Sequence, residues 1–113
     1  MQLEEHAIGD VVIVSVNGNI TSDSGHNIVL RDKVRSLLQQ GHKKLVLDLG
    51  GVGFMDSAGL GELVQAYATT KNKDGMLKLA RTTARLNDLL AVTKLVTVFD
   101  NYKSVDEAVT SFA

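Results

Sequence analysis

Hydrophobic and polar positions along the chain follow two periods, one typical of strands and one typical of helices. The apolar run DVVIVSV at 10–16 is rich in β-branched residues, and the turn-forming sequence NGN at 17–19 follows it. This run predicts a buried strand, and a weaker segment near residues 2–7 predicts its hairpin partner across the turn at 9–10. A second nearly continuous apolar run, KLVLDLGGV at 44–52, predicts a central strand covered by helices.

Helical spacing of apolar residues occurs in four other segments. The first runs from Ser24 to Gln40, and Gly41 supplies its C-terminal stop. The last begins at a capping-box pattern formed by Ser104 and Glu107. The apolar residues that define the second, third and fourth helices are Leu60, Leu63, Val64 and Tyr67, then Leu86, Leu89 and Leu90, then Val105, Ala108, Val109 and Phe112.

Two more short segments, MLKLA at 76–80 and VTVF at 96–99, predict further strands, so the element order is ββαβαβαβα. Repeated strand–helix–strand crossovers predict an α/β fold with a mixed, mainly parallel sheet of about five strands and about four helices. The added N-terminal strand is expected at an edge of this sheet. With 113 residues, 44% of them hydrophobic, we expect residues 1–113 to form a single domain with a real core.

Composition excludes several classes of function. Twelve basic and thirteen acidic side chains give a net charge of -1, so nucleic acid is not an expected partner. The absence of cysteine excludes disulfides and thiolate metal sites and fits the cytosol. The segment MQLEEHAIGD lacks the basic and apolar regions of a signal peptide, and no window approaches the roughly 18 apolar residues of a membrane span. We therefore expect a soluble cytoplasmic protein without membrane insertion.

The stretch GFMDSAGLGELVQAY at 53–67 carries the candidate chemistry. It places Asp56 and Ser57 between the central strand and the second helix, where open α/β sheets usually place their sites. Three roles are open for the serine. It is a nucleophile, a modification site or a helix cap, and the cap, formed by either Asp56 or Ser57, is worth about 1 kcal/mol. A cap does not require Gly59 and Gly61, each of which costs roughly 0.5–1 kcal/mol within a helix. With Ala58 they leave the helix start without bulky side chains, so we expect something to approach the backbone closely.

Catalytic and cofactor motifs are not matched. A nucleophile elbow requires glycine two residues before the serine, and that position is Met55. Neither a complete dinucleotide-binding fingerprint nor a phosphate-binding G-K-[ST] sequence is present. No triad context surrounds the scattered His6, His26 and His42. No metal motif matches the spacing of Asp23, Asp48 and Asp56. We therefore predict no enzyme activity, no cofactor and no metal.

The segment VLDLGGVGFMDSAGLGELV resembles the signature of the STAS domain, the fold of the bacterial anti-sigma factor antagonists. In that family a strand ending in an acidic residue leads through FMD into S-x-G-L-G. The resemblance extends from about residue 3 to about residue 112, through an N-terminal hairpin ending in VNGNI and a closing helix SVDEAV. It implies that Ser57 is phosphorylated by an anti-sigma factor that is also a serine kinase of the histidine-kinase-like ATPase type. A PP2C-type phosphatase reverses the modification in the family.

The resemblance also implies a partner switch. The unphosphorylated protein binds the anti-sigma factor and frees the sigma factor, and phosphorylation ends this binding. Family members commonly have an acidic residue where this chain has Thr21, so either Asp23 replaces it or the partner kinase differs. The residues expected to contact the partner are Thr21, Asp23, Asp56, Ala58, Gly59 and Gly61. The alternative is a lone STAS subunit that regulates or scaffolds another complex, such as a lipid transporter or a stressosome-like assembly.

Overall fold

The computed structural model describes residues 2–20 and 29–113, and these residues form five strands and four helices. Their order is ββαβαβαβα, so the predicted α/β element order is confirmed. The elements are β1 (Gln2–Ile8), β2 (Val11–Asn17), α1 (Val29–Gln39), β3 (Lys44–Gly51), α2 (Ser57–Asn72), β4 (Met76–Ala80), α3 (Ala84–Val92), β5 (Asp100–Tyr102) and α4 (Val105–Thr110).

The five strands form one mixed sheet in the order β1-β2-β3-β4-β5. The first hairpin pairs β1 with β2 antiparallel, whereas β2, β3, β4 and β5 run parallel to their neighbours. The predicted edge position of the N-terminal strand and the central position of the 44–52 run are therefore both confirmed. Because β2 to β5 are parallel, their carboxyl ends lie at the same end of the sheet, and the chain leaves this end to begin α2 and α3.

Each face of the sheet packs against a separate helix layer. The larger core cluster joins side chains of β2, β3 and β4 to buried leucines of α1, α2 and α3. The smaller cluster places Val46 and Ala80 of the sheet against Ala108 of α4. Strand β4 shows the alternation directly, because Leu77 and Leu79 belong to the larger cluster whereas Ala80 belongs to the smaller one. Helices on both faces explain why the β3 run is apolar at consecutive positions.

One predicted strand differs from the structure, and part of the first predicted helix lies outside the described residues. The strand predicted at 96–99 is wrong, since β5 is Asp100–Tyr102. The amides of Val96 and Val98 donate to the carbonyls of Leu90 and Leu95 in turns that follow α3, so this stretch is not available for strand pairing. The first helix is described from Val29, and residues 24–28 of its predicted range lie outside the described residues.

Candidate functional site

The segment between β3 and α2 is fixed to the chain that follows β2. Ile20 and Met55 form a parallel bridge outside the main strands. The Ile20 amide donates to the Phe54 carbonyl at 3.0 Å, and the Asp56 amide donates to the Ile20 carbonyl at 3.3 Å. These bonds extend the β2–β3 pairing beyond the sheet edge and hold the start of α2 at the carboxyl end of the central strand.

Asp56 is the N-cap of α2. Its backbone is extended (φ -95, ψ -175), and its Oδ1 atom accepts a hydrogen bond from the Gly59 amide at 2.8 Å. The Asp56 carbonyl also accepts the first helical hydrogen bond, from the Leu60 amide at 2.9 Å. The cap that the sequence assigned to either Asp56 or Ser57 therefore belongs to the aspartate.

Ser57 is the first helical residue, and its side chain is exposed, as is that of Ala58. Its hydroxyl forms no hydrogen bond with any described residue. The helix that follows is 16 residues long and carries no acidic residue in its first turn. Unpaired amides and the helix dipole favour an anion at such a terminus. The hydroxyl thus stands in solvent at a place where an added phosphate is electrostatically tolerated.

The two glycines of the motif lie in different environments. Gly59 is buried, and a Cβ atom placed on it would lie 1.8 Å from the Ile20 carbonyl oxygen. Gly61 is exposed, and a Cβ atom on it would meet no atom within 4 Å. The expected close approach to the backbone therefore comes from within the chain at Gly59, whereas the helix surface beside Gly61 is open. Thr21 and Asp23 lie outside the described residues.

The acidic residue of β3, Asp48, has a structural role close to the motif. Asp48 is buried and accepts hydrogen bonds from the Gly50 amide and from Arg81 Nη1, both at 3.1 Å. A Cβ atom on Gly50 would lie 2.5 Å from the Arg81 guanidinium carbon, so this glycine leaves room for the arginine. The Asp48 carboxylate is therefore held in an ion pair across the ends of β3 and β4.

Among the residues that the structure describes, no histidine lies beside Ser57, and His26 lies outside these residues. His6 pairs with Ile13 in the middle of the edge hairpin, and His42 precedes β3, at the opposite end of the sheet from Ser57. Within residues 2–20 and 29–113, no three histidine, aspartate or glutamate side chains group as a metal site. A hydrogen bond from Lys44 lowers the pKa of the Asp10 carboxyl, but this pair also lies at the amino end of the parallel strands.

The sequence interpretation missed an apolar groove that begins beside the motif. Phe54 is 45% exposed although it is aromatic, and it lines the groove with Met55 and with residues of α3. The α3 residues in the groove are Arg85, Leu86, Asp88, Leu89 and Val92. The available signal was the adjacent apolar pair Phe54 and Met55, which precedes the capping aspartate in the loop.

None of the helices in the described ranges has the length and hydrophobicity needed to cross a lipid bilayer.

Comparison with known proteins finds a related sequence among the anti-sigma factor antagonists. The chain is 39% identical to the anti-sigma-B factor antagonist of Bacillus subtilis over 72 residues, which are 64% of this chain and 65% of that protein, just under two thirds of its length.

Solved structures show the same fold. An anti-sigma factor antagonist from Mycobacterium paratuberculosis superposes with a TM-score of 0.83 at 24% identity, covering 97% of this chain and 92% of that one. The Bacillus cell fate determinant SpoIIAA in its phosphorylated form gives a TM-score of 0.74 at 16% identity, covering 99% and 100%. The family model of the STAS domain matches residues 2–108, and the chain therefore belongs to the STAS domain family.

Proposed function

We propose that this chain is an anti-sigma factor antagonist that is switched by phosphorylation of Ser57. In this proposal the unphosphorylated protein binds an anti-sigma factor, a serine kinase of the histidine-kinase-like ATPase type, and thereby frees a sigma factor in the cytoplasm. Phosphorylation ends the binding, and a PP2C-type phosphatase restores it. The protein acts by binding and not by catalysis. The observation that carries the proposal is the exposed Ser57 hydroxyl, which the Asp56 cap leaves without a structural role.

Physical chemistry supports phosphate as the switch. A phosphoserine carries about -1.5 to -2 charges at neutral pH. At Ser57 this charge meets the amino end of α2, so the domain itself tolerates it. A partner packed against the exposed surface of Ala58 and Gly61 would instead have to bury the phosphate beside the Asp56 carboxylate. Like charge and desolvation then weaken the complex while the fold stays intact.

Peptide mapping after incubation with the cognate kinase and ATP tests the switch. We expect one phosphate, on Ser57, and none in the Ser57→Ala variant. Ser36 is an exposed serine on the outer part of α1, so Ser36→Ala is the matched control and should still accept one phosphate. Phosphate on Ser36, Ser104 or another serine with Ser57 unmodified would contradict the proposal.

The same variants test the partner. Ser57→Ala should retain the anti-sigma factor in the presence of ATP, whereas Ser57→Asp should bind it about tenfold more weakly or worse, which is about 1.4 kcal/mol. The reason is that a carboxylate buried in a close contact without a counter-charge is costly. Capture of transporter subunits or a stressosome-like assembly, with no anti-sigma factor, would favour the lone STAS subunit instead.

A further inference from the structure

Helix α3 is held to the domain by few residues and leaves one side uncovered. Only Leu86 and Leu90 of α3 are buried in the core. Val92 at its end is 81% exposed, and Phe54 beside it is 45% exposed. Both residues line the groove described above, together with Leu89 and the charged Arg85 and Asp88. This groove is therefore an apolar surface that also carries one positive side chain, Arg85, and one negative side chain, Asp88.

We propose that this groove is the interface of a symmetric homodimer, in which α3 of one copy packs antiparallel to α3 of a second copy. A two-fold interface is self-complementary, because when residue i contacts residue j of the partner, j also contacts i. Arg85 and Asp88 are three residues apart and line the same groove, so they lie on one face of α3. An antiparallel crossing centred between Leu86 and Asn87, in the first half of α3, brings Arg85 of each copy to Asp88 of the other.

Neither charge has an ion-pair partner among the residues that the structure describes. A second copy therefore supplies two equivalent Arg–Asp pairs without breaking any existing one. These pairs lie beside Phe54, Leu89 and Val92, the apolar residues of the same groove. The charge pattern favours a second copy as occupant, because the copy carries by symmetry the complement that the groove requires.

The interface is small, and this sets the expected affinity. Helix α3 has nine residues, so it is about 14 Å long and contributes an area at the low end of specific interfaces. We expect a weak dimer with a dissociation constant on the order of 100 µM, formed at high local concentration. This inference concerns the groove that begins beside the motif and does not depend on phosphorylation of Ser57.

Variants that reverse one of the two charges test this interface. Self-association is measured by sedimentation velocity of the full chain from about 10 µM to about 1 mM. The wild type should pass from monomer to dimer over this range. Arg85→Asp and Asp88→Arg should each stay monomeric, because each places like charges against each other twice. Mixed in equal amounts, the two variants should form a heterodimer, because one copy then presents two negative charges to the two positive charges of the other. The double variant should recover the homodimer, and Asp106→Arg, on exposed α4, is the matched control without effect.

Other results overturn the proposal. A wild type that stays monomeric at about 1 mM excludes the dimer, and so does a dimer that Arg85→Asp leaves at wild-type strength. Failure of the two single variants to associate with each other shows that the charges do not pair as described. If these variants lose the anti-sigma factor while self-association is unchanged, the groove belongs to that partner. Phosphate mapping on Ser57 is read out separately, so each proposal can fail without the other.

Discussion

Gly59 and Gly61 are separated by one residue on α2, yet the absence of a side chain serves different purposes at the two positions. At Gly59 it admits the Ile20 carbonyl, and the resulting contact joins the chain after β2 to the first turn of the helix. At Gly61 it leaves an open helix surface next to Ser57. The first glycine shapes the site from within, and the second leaves open the surface that, in our proposal, the partner contacts.

Alanine at these two positions should have opposite effects on stability. Gly59→Ala should lower the free energy of unfolding by about 1–3 kcal/mol, because the new methyl group would overlap a backbone oxygen that cannot move freely. Gly61→Ala, in open space on the same helix, should raise it by up to about 1 kcal/mol. Urea unfolding measures both. We also expect Gly61→Ala to weaken binding of the anti-sigma factor, measured by calorimetry. Equal losses of stability in the two variants would contradict the different roles.

Two details of the site, the identity of the cap residue and the role of Gly59, could not be predicted from the sequence. Aspartate and serine cap helices about equally well, so the sequence alone left the cap at either Asp56 or Ser57. The extended backbone of Asp56 decides it. The contact of Gly59 with Ile20 joins residues that are distant in sequence, so no local sequence pattern predicts it. The exposed surface at Gly61 was predicted from the motif, whereas the internal role of Gly59 required the fold.

At the scale of elements, the least expected feature is the attachment of α4. Lys78 of β4 is only 4% exposed, and its Nζ atom donates to Ser111 Oγ at 2.7 Å. The same atom lies 4.2 Å from the ring centre of Phe112 and 5.5 Å from that of Tyr102. A lysine that alternates with buried leucines thus anchors the end of the C-terminal helix through its ammonium group and its aliphatic stem.

Substitution of Lys78 separates these two contributions. Lys78→Ala should lower the free energy of unfolding by about 2–4 kcal/mol, since it removes the stem and leaves a cavity under α4. Lys78→Met keeps the volume and relieves the burial of a charge, so it should stay within about 1.5 kcal/mol of the wild type. Urea unfolding gives both values, and amide exchange should accelerate in α4 of the alanine variant. A methionine variant as unstable as the alanine variant would show that the ammonium group itself holds the helix.

Element boundaries were predictable where one physical signal dominated. The central strand, the face of α2 and the capping box of α4 all follow from periodicity or from a local hydrogen bond, and Ser104 Oγ indeed accepts from the Glu107 amide at 3.0 Å. The strand expected at 96–99 failed because β-branched residues there form the turns that end α3. Strand propensity is a preference for a half-buried pleated surface, and tertiary context overrides it.

At the scale of the whole molecule, the fold separates the candidate switch from the core. Both faces of the sheet are covered, by α1, α2 and α3 on one side and by α4 on the other. Ser57 lies at the carboxyl edge, on the outer side of α2, and packs into neither core cluster. The topology was predictable because parallel strands joined by helices admit few arrangements. A charge on Ser57 is therefore placed at an exposed position and in neither core cluster.

A charge at Ser57 should therefore leave the domain folded as before. Ser57→Asp brings one negative charge to the amino end of α2, which is favourable by roughly 0.3–1 kcal/mol. We expect its melting temperature to equal or exceed that of the wild type, and that of Ser57→Ala to stay close to the wild type. Amide NMR shifts should be confined to the motif, the chain near Ile20 and the groove around Phe54. Widespread shifts through β4 and α4, or a marked fall in melting temperature, would show that the charge remodels the domain. The switch would then be conformational, and the simple surface mechanism would be wrong.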